Sequence, residues 1–122
     1  MSKTILVVDD SASVRQMVGM TLKQAGYSVV EASDGREALD KATSSPVDAV
    51  ITDLNMPVMD GLTFIREYRA TPSSNGVPIV FLTTESDAGI KAQAKEAGAT
   101  GWMVKPFKTD QLLSVVRKVA GA

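Results

Sequence analysis

Strand-like apolar runs and helix-like amphipathic runs alternate five times along the 122 residues, and this alternation restricts the fold more than any other feature. Residues 4–8 are almost continuously apolar, the pattern of a strand covered on both faces. Residues 28–32, 47–52, 78–82 and 102–104 are the other expected strands. Between them, Val14, Val18, Leu22 and Ala25 recur at helical spacing, and Gly26 stops that helix. Residues 35–43 read as a second helix, with Ala38 and Ala42 on one face. Leu62, Ile65 and Tyr68 mark a third, opened by Asp60-Gly61. Residues 88–97 are an Ala-rich fourth ended by Gly98. Leu112, Val116 and Val119 mark a fifth, with Thr109 as its N-cap. Residues 71–76 lack periodicity and read as a polar loop. Five βα units in series predict an α/β, doubly wound fold of three layers, a five-stranded parallel sheet between two sets of helices. No linker, repeat or low-complexity tail breaks the pattern, so the expectation is one domain over residues 1–122, without an output domain.

Several function classes drop out on composition. Thirteen Lys and Arg against fourteen Asp and Glu leave a net charge of −1. Such a chain has no general field to draw nucleic acid or an anionic membrane. With no Cys there is no disulfide framework, thiolate nucleophile or Cys-based zinc site. With no His, the usual general base and any Ser-His-Asp triad are excluded. Carboxylates, amides, hydroxyls and amines remain, a set suited to Mg²⁺ and phosphate chemistry. No signal-peptide pattern precedes Asp9-Asp10, and no apolar run approaches a membrane span. The expected location is the cytoplasm.

The polar residues that end the apolar runs share one edge of such a sheet. The first strand ends in Asp9-Asp10, the third in Asp53, the fourth in Thr83 and the fifth in Lys105. Ligands of open parallel sheets sit at this carboxyl edge, where strand order reverses. Three converging carboxylates repel and raise at least one pKa unless a divalent cation or an ammonium intervenes. Mg²⁺ or Lys105 could do so. Taken singly, each residue has a plainer role: Asp10 and Asp60 as turn or cap residues, Thr83 as a helix cap, Lys105 as a solvated charge. Independent turn residues need not bring three acids, a hydroxyl and an amine to one edge, and the coincidence favours a functional cluster.

Asp9-Asp10, the stretch Asp53-Leu54-Asn55-Met56-Pro57-Val58-Met59-Asp60-Gly61, then Thr83 and Lys105-Pro106-Phe107 together resemble the signature of response-regulator receiver domains, over the whole chain. The spacings from Asp53 to Thr83 and Lys105 resemble those of the single-domain, CheY-like chemotaxis regulators. The resemblance implies a flavodoxin-like fold with strand order 2-1-3-4-5. It implies that Asp53 accepts a phosphoryl group from a phosphohistidine on a sensor histidine kinase. It implies Mg²⁺ held by Asp10, Asp53 and the backbone carbonyl of Asn55, with Asp9 supporting directly or through water. Lys105 would pair with Asp53 and then with the phosphoryl group, oriented by a cis Lys105-Pro106 peptide. Thr83 would hydrogen-bond a phosphoryl oxygen and couple the site to the fourth helix. The side chains of Asn55 and Glu85 would tune dephosphorylation. Trp102 stands where the family usually has Tyr or Phe as a switch aromatic; its plain alternative is a half-buried strand residue that does not move. Met56 and Met59 read as packing residues, and Met17 and Met20 as packing or partially exposed apolar groups.

The same resemblance implies a phosphorylation-activated switch rather than an enzyme, taking part only in its own phosphotransfer and autodephosphorylation. Its partners would be a chemotaxis histidine kinase and a flagellar switch protein meeting the helix 4–strand 5–helix 5 face, with a phosphatase as a further partner. The expected form is a monomer that binds neither nucleic acid nor membrane. A phosphate sink or a regulator in a non-chemotaxis phosphorelay is the alternative within the family. A Mg²⁺-dependent aspartyl-phosphate phosphohydrolase normally carries Asp-x-Asp after its first strand and a cap domain, whereas this chain has Asp9-Asp10-Ser11. A flavodoxin-like cofactor binder lacks support, because Ser11-Ala12-Ser13 replaces a Gly-rich phosphate loop.

Overall fold

The computed structural model describes residues 3–84 and 88–120. Its elements alternate as expected: β1 (Thr4–Val8), α1 (Ala12–Gln24), β2 (Ser28–Ala32), α2 (Gly35–Ser44), β3 (Ala49–Asp53), α3 (Gly61–Arg69), β4 (Ile79–Thr83), α4 (Ala88–Ala97), β5 (Gly101–Val104) and α5 (Thr109–Ala120). The strands form one parallel sheet in the order β2-β1-β3-β4-β5. The order reverses direction between β1 and β3, so the carboxyl ends of these two neighbours flank the crevice where ligands of this fold class bind.

Period-two alternation along β1 explains its unbroken apolar run. Ile5 and Val7 pack with Val18 and Leu22 of α1 and with Leu112 and Val116 of α5. Leu6 and Val8 face the other side, with Ala38 and Ala42 of α2 and Phe64, Ile65 and Tyr68 of α3. Beside α3, Phe81 of β4 packs with Ala94 of α4 and Leu54. Three helix starts follow from capping side chains. Ser11, Asp34 and Asp60 accept from the backbone N–H groups of Val14, Glu37 and Thr63. Asp60 is thus a cap, and Ser11 rather than Asp10 caps α1.

Some boundaries shift from the sequence expectation. β3 runs over Ala49–Asp53 rather than 47–52: Val47 is buried from the preceding loop, and Asp53 pairs with Leu82 of β4. β4 begins after Pro78, which lacks an N–H, and ends at Thr83 beside Val104. Thr109 is the first residue of α5, not its cap, because the Leu112 N–H donates to the Lys108 carbonyl. The polar loop at 71–76 holds a single 3-10 turn at Pro72–Ser74. Among the described residues, no helix is long and apolar enough to cross a membrane.

Candidate functional site

β1 and β3 bring three carboxylates together beyond their carboxyl ends. One oxygen each from Asp9, Asp10 and Asp53 lies within 4.8 Å of the others. The strand pleat divides the adjacent pair. Asp9 is buried at 1% exposure, whereas Asp10 is exposed. Asp9 Oδ1 accepts from the Ser11 N–H at 2.9 Å, and its Oδ2 accepts from Lys105 Nζ at 2.8 Å. Asp53, at 9% exposure, accepts from the Leu54 N–H through Oδ1 at 2.8 Å. Its Oδ2 stands 3.4 Å from Lys105 Nζ. A single ammonium therefore bridges two acids from different strands, and its shorter contact is to Asp9 rather than to Asp53.

The electrostatics follow from this packing. Burial, and then the negative charge of Asp9, push the Asp53 carboxyl above its ordinary value; Lys105 and the Leu54 N–H counter only part of that. Burial alone would lower the Lys105 ammonium, but the hydrogen bond to Asp9 and the charges of Asp53 and Asp9 outweigh it and raise the pKa. The cluster holds more negative charge than one ammonium neutralises. Three convergent oxygen donors on a partly open edge suit a hard divalent cation, and the set fits Mg²⁺.

The remaining expected residues fall around this centre. Thr83 is buried at the end of β4, and its carbonyl accepts from the Lys105 N–H at 2.8 Å, tying the two strand ends together. The Lys105-Pro106 peptide is cis. Asn55 is exposed in the loop after β3. Glu85 lies outside the described residues. Trp102 points outward at 47% exposure, with its ring 6.5 Å from that of Phe81 and Lys91 Nζ 4.5 Å from its centroid. It lines a groove between α4 and β5 rather than the acidic edge.

Two further contacts are not given by the motif residues themselves, although Gly61 stands within the motif. Gly61, the first residue of α3, sits so near β3 that a Cβ there would lie 2.2 Å from the Asp53 carbonyl oxygen. Glycine at this place lets the helix start against the strand end that carries Asp53. Arg15 of α1 donates from Nη1 to the Asp9 carbonyl at 2.6 Å. The only sequence signal for it is its place in the first turns of the helix after Asp9-Asp10.

Comparison with known proteins agrees with this geometry. The family model for the response regulator receiver domain matches residues 5–117. The chemotaxis response regulator CheY4 of Vibrio cholerae is 47% identical with a TM-score of 0.94, over 98% of this chain and 99% of that one. The receiver domain of the sensor histidine kinase PA1611 from Pseudomonas aeruginosa, described with a magnesium ion coordinated in its active-site cleft, is 30% identical with a TM-score of 0.91 over all of both chains. Response regulator MprA of Mycolicibacterium vanbaalenii is 42% identical over 93% of this chain and 48% of its own length. The transcriptional regulatory protein PrrA of Mycobacterium tuberculosis is 38% identical over 95% of this chain and 49% of its own. The chain thus spans about half the length of these curated relatives.

Proposed function

The chain belongs to the response regulator receiver family of two-component signalling, and from that premise we propose that it is a phosphorylation-driven switch whose phosphoacceptor is Asp53. The observation that carries this reading is the convergence of Asp9, Asp10, Asp53 and Lys105 on one sheet edge. An Asp53 carboxylate oxygen attacks the phosphorus of a phosphohistidine on a partner kinase. The new P–O bond forms as the P–N bond breaks, and the electron pair of that bond returns to the imidazole nitrogen. Asp10, Asp53 and the Asn55 carbonyl, with Asp9 in support, would hold Mg²⁺, which when bound supplies charge neutralisation for the phosphoryl oxygens. Lys105 moves with the charge, from the Asp53 carboxylate to the phosphoryl group. Thr83 donates to a phosphoryl oxygen, while Asn55 and Glu85 set how readily water reaches the phosphorus. These steps concern the protein's own aspartate and make it a switch rather than an enzyme.

Chemotaxis is the pathway that the likeness to CheY4 over nearly the full length of both chains favours. The partners are then a chemotaxis histidine kinase and a flagellar switch protein, the latter meeting the α4–β5–α5 face where Trp102 stands exposed, in the cytoplasm. The likeness to MprA and PrrA supports a second reading, a regulator of another phosphorelay.

Incubation with acetyl phosphate and Mg²⁺ tests the switch. The expected result is a stoichiometric, base-labile label that is absent from Asp53→Asn; a stoichiometric label on that variant sinks the assignment, and continuous turnover points to a hydrolase. Phosphotransfer assayed from a chemotaxis kinase and from other histidine kinases separates the two pathways.

A further inference from the structure

Arg15 belongs to none of the motifs that mark the site, yet its side chain reaches back six residues to the end of β1. Nη1 donates to the Asp9 carbonyl at 2.6 Å, and Nε stands 3.4 Å from Oε1 of Glu31 on β2. A guanidinium is planar and rigid, so a carboxylate beside Nε favours the orientation in which Nη1 meets the Asp9 carbonyl. The pairing of β1 with both neighbours ends at Val8, which leaves the Asp9 carbonyl beyond the sheet ladder. That carbonyl is half of the peptide unit joining Asp9 to Asp10. Because the unit is planar, holding its oxygen also sets the direction in which Asp10 leaves the strand.

The two acids differ in how they are held. Asp9 is fixed by its own N–H to the Ala32 carbonyl and by side-chain bonds to Ser11 and Lys105. The exposed Asp10 carboxylate has no hydrogen bond or ion pair to a described residue. Its aim comes from its backbone alone.

We propose that Arg15 is a positioning residue for the divalent-cation site: by fixing the Asp9–Asp10 peptide plane it aims the Asp10 carboxylate, with Glu31 holding the guanidinium in place. The inference rests on the reading of this edge as the Mg²⁺ and phosphoacceptor site. Arg15 itself touches neither the metal nor the phosphoryl group. It acts through the backbone, one step further out than the partners that bond a metal ligand's side chain directly.

The probe is Mg²⁺ itself, titrated into wild type, Arg15→Met and Arg15→Lys while the melting temperature is followed, and again while the rate of labelling by acetyl phosphate is followed. Met keeps the aliphatic stem and removes every donor. Lys keeps the charge but cannot hold Glu31 and the carbonyl in one plane. The half-saturating Mg²⁺ concentration should rise about tenfold for Met and at least about threefold for Lys, with labelling at saturating Mg²⁺ within about twofold of wild type. A residue that only supports the fold would lower the metal-free melting temperature and leave half-saturation unmoved, and that result overturns the proposal. If Arg15→Met does not fold, the Lys variant carries the same test. In an Asp10→Asn background, Arg15→Met should add no further loss of Mg²⁺ affinity; a full additive loss places the effect elsewhere and also overturns it. A wild type whose melting temperature ignores Mg²⁺ would sink the site reading and the inference with it.

Discussion

Asp53 carries its carboxyl in a place that disfavours charge, and its replacement should show this directly. Its carboxyl is raised above the ordinary 3.8 by burial and by Asp9, so over the window between the two values the native state binds more protons than the unfolded chain. Wild-type stability contributed by this group is therefore lost as pH rises through the raised value. Asp53→Asn lacks that loss. In metal-free buffer the variant should melt above wild type at neutral pH, and the gap should close as pH falls below 4, followed by thermal melts in a chelator series; a gap that stays constant with pH would show that the charge is not its cause. Val58 presents a second local strain: it is β-branched, 83% exposed and at φ +68°. Left-handed backbone costs such a residue roughly 1–2 kcal/mol, so Val58→Asn should stabilise by about 1 kcal/mol, read as a higher urea midpoint at constant slope. Residues of the site are legible in the sequence to unequal degrees. Asp9, Asp10, Asp53, Thr83 and Lys105 announce themselves because each ends an apolar run, and strand ends share an edge. What sequence does not reveal is that Asp9 takes the shorter contact with Lys105, since that depends on which of two adjacent acids the pleat turns inward. Arg15 is less legible still. A basic residue early in an amphipathic helix defaults to a solvated face, and its acceptor is a backbone carbonyl, which no residue type encodes.

At the scale of elements, the strands and helices are legible because buried parallel strands read as continuous apolar runs and helices carry caps and glycine stops. Their ends are less so. Val47 is apolar because it packs from a loop, and nothing in its chemistry separates it from the strand that follows. The close approach of α3 to β3 is likewise invisible until the two are packed, although it explains why Gly61 follows its cap. A Cβ at Gly61 would meet the Asp53 carbonyl oxygen at 2.2 Å and Leu54 Cα at 2.9 Å, both on backbone that cannot swing aside. Gly61→Ala should therefore destabilise by about 1–3 kcal/mol or more and slow labelling by displacing the strand end that carries Asp53. Gly101 on β5 is the control, because a Cβ there meets nothing within 4 Å and its backbone is ordinary strand. Gly101→Ala should change stability by less than about 0.5 kcal/mol and leave labelling unaltered. Equal losses in the two variants, by denaturant unfolding, would mean that backbone freedom rather than the approach to β3 explains the glycine.

Across the whole molecule, the two edges of the sheet do different work. The carboxyl edge gathers charge that its own ammonium does not fully neutralise, whereas the opposite edge is tied by an arginine bonded to backbone carbonyls. Arg69, at the end of α3, donates from Nε to the Gly98 carbonyl at 3.0 Å, from Nη1 to Ser74 at 2.7 Å and from Nη2 to Val77 at 2.6 Å. One side chain thus joins the end of α4, the 3-10 turn and the entry to β4. Gly98 is at φ +120°, and a Cβ there would come within 2.7 Å of Arg69 Cγ, so the arginine and the glycine fit only as a pair. Burial lowers the guanidinium pKa, yet an arginine side chain keeps its proton in proteins, and its carbonyl acceptors are what hold the cation. Removing the donors strands three carbonyls, each bond to a charged group contributing roughly 1.5–3 kcal/mol, less where water can reach in. Arg69→Met should therefore destabilise by about 2–4 kcal/mol, measured by denaturant unfolding. Because the tie lies at the far edge, the Mg²⁺ concentration that half-saturates the melting shift should match wild type within about twofold, at temperatures where the variant stays folded. A large loss of Mg²⁺ affinity in Arg69→Met would show that the sheet transmits strain from one edge to the other. An equal affinity with a lowered unfolding midpoint is the expected outcome, since the carbonyls that Arg69 holds share no partner with the Asp9, Asp10 and Asp53 cluster.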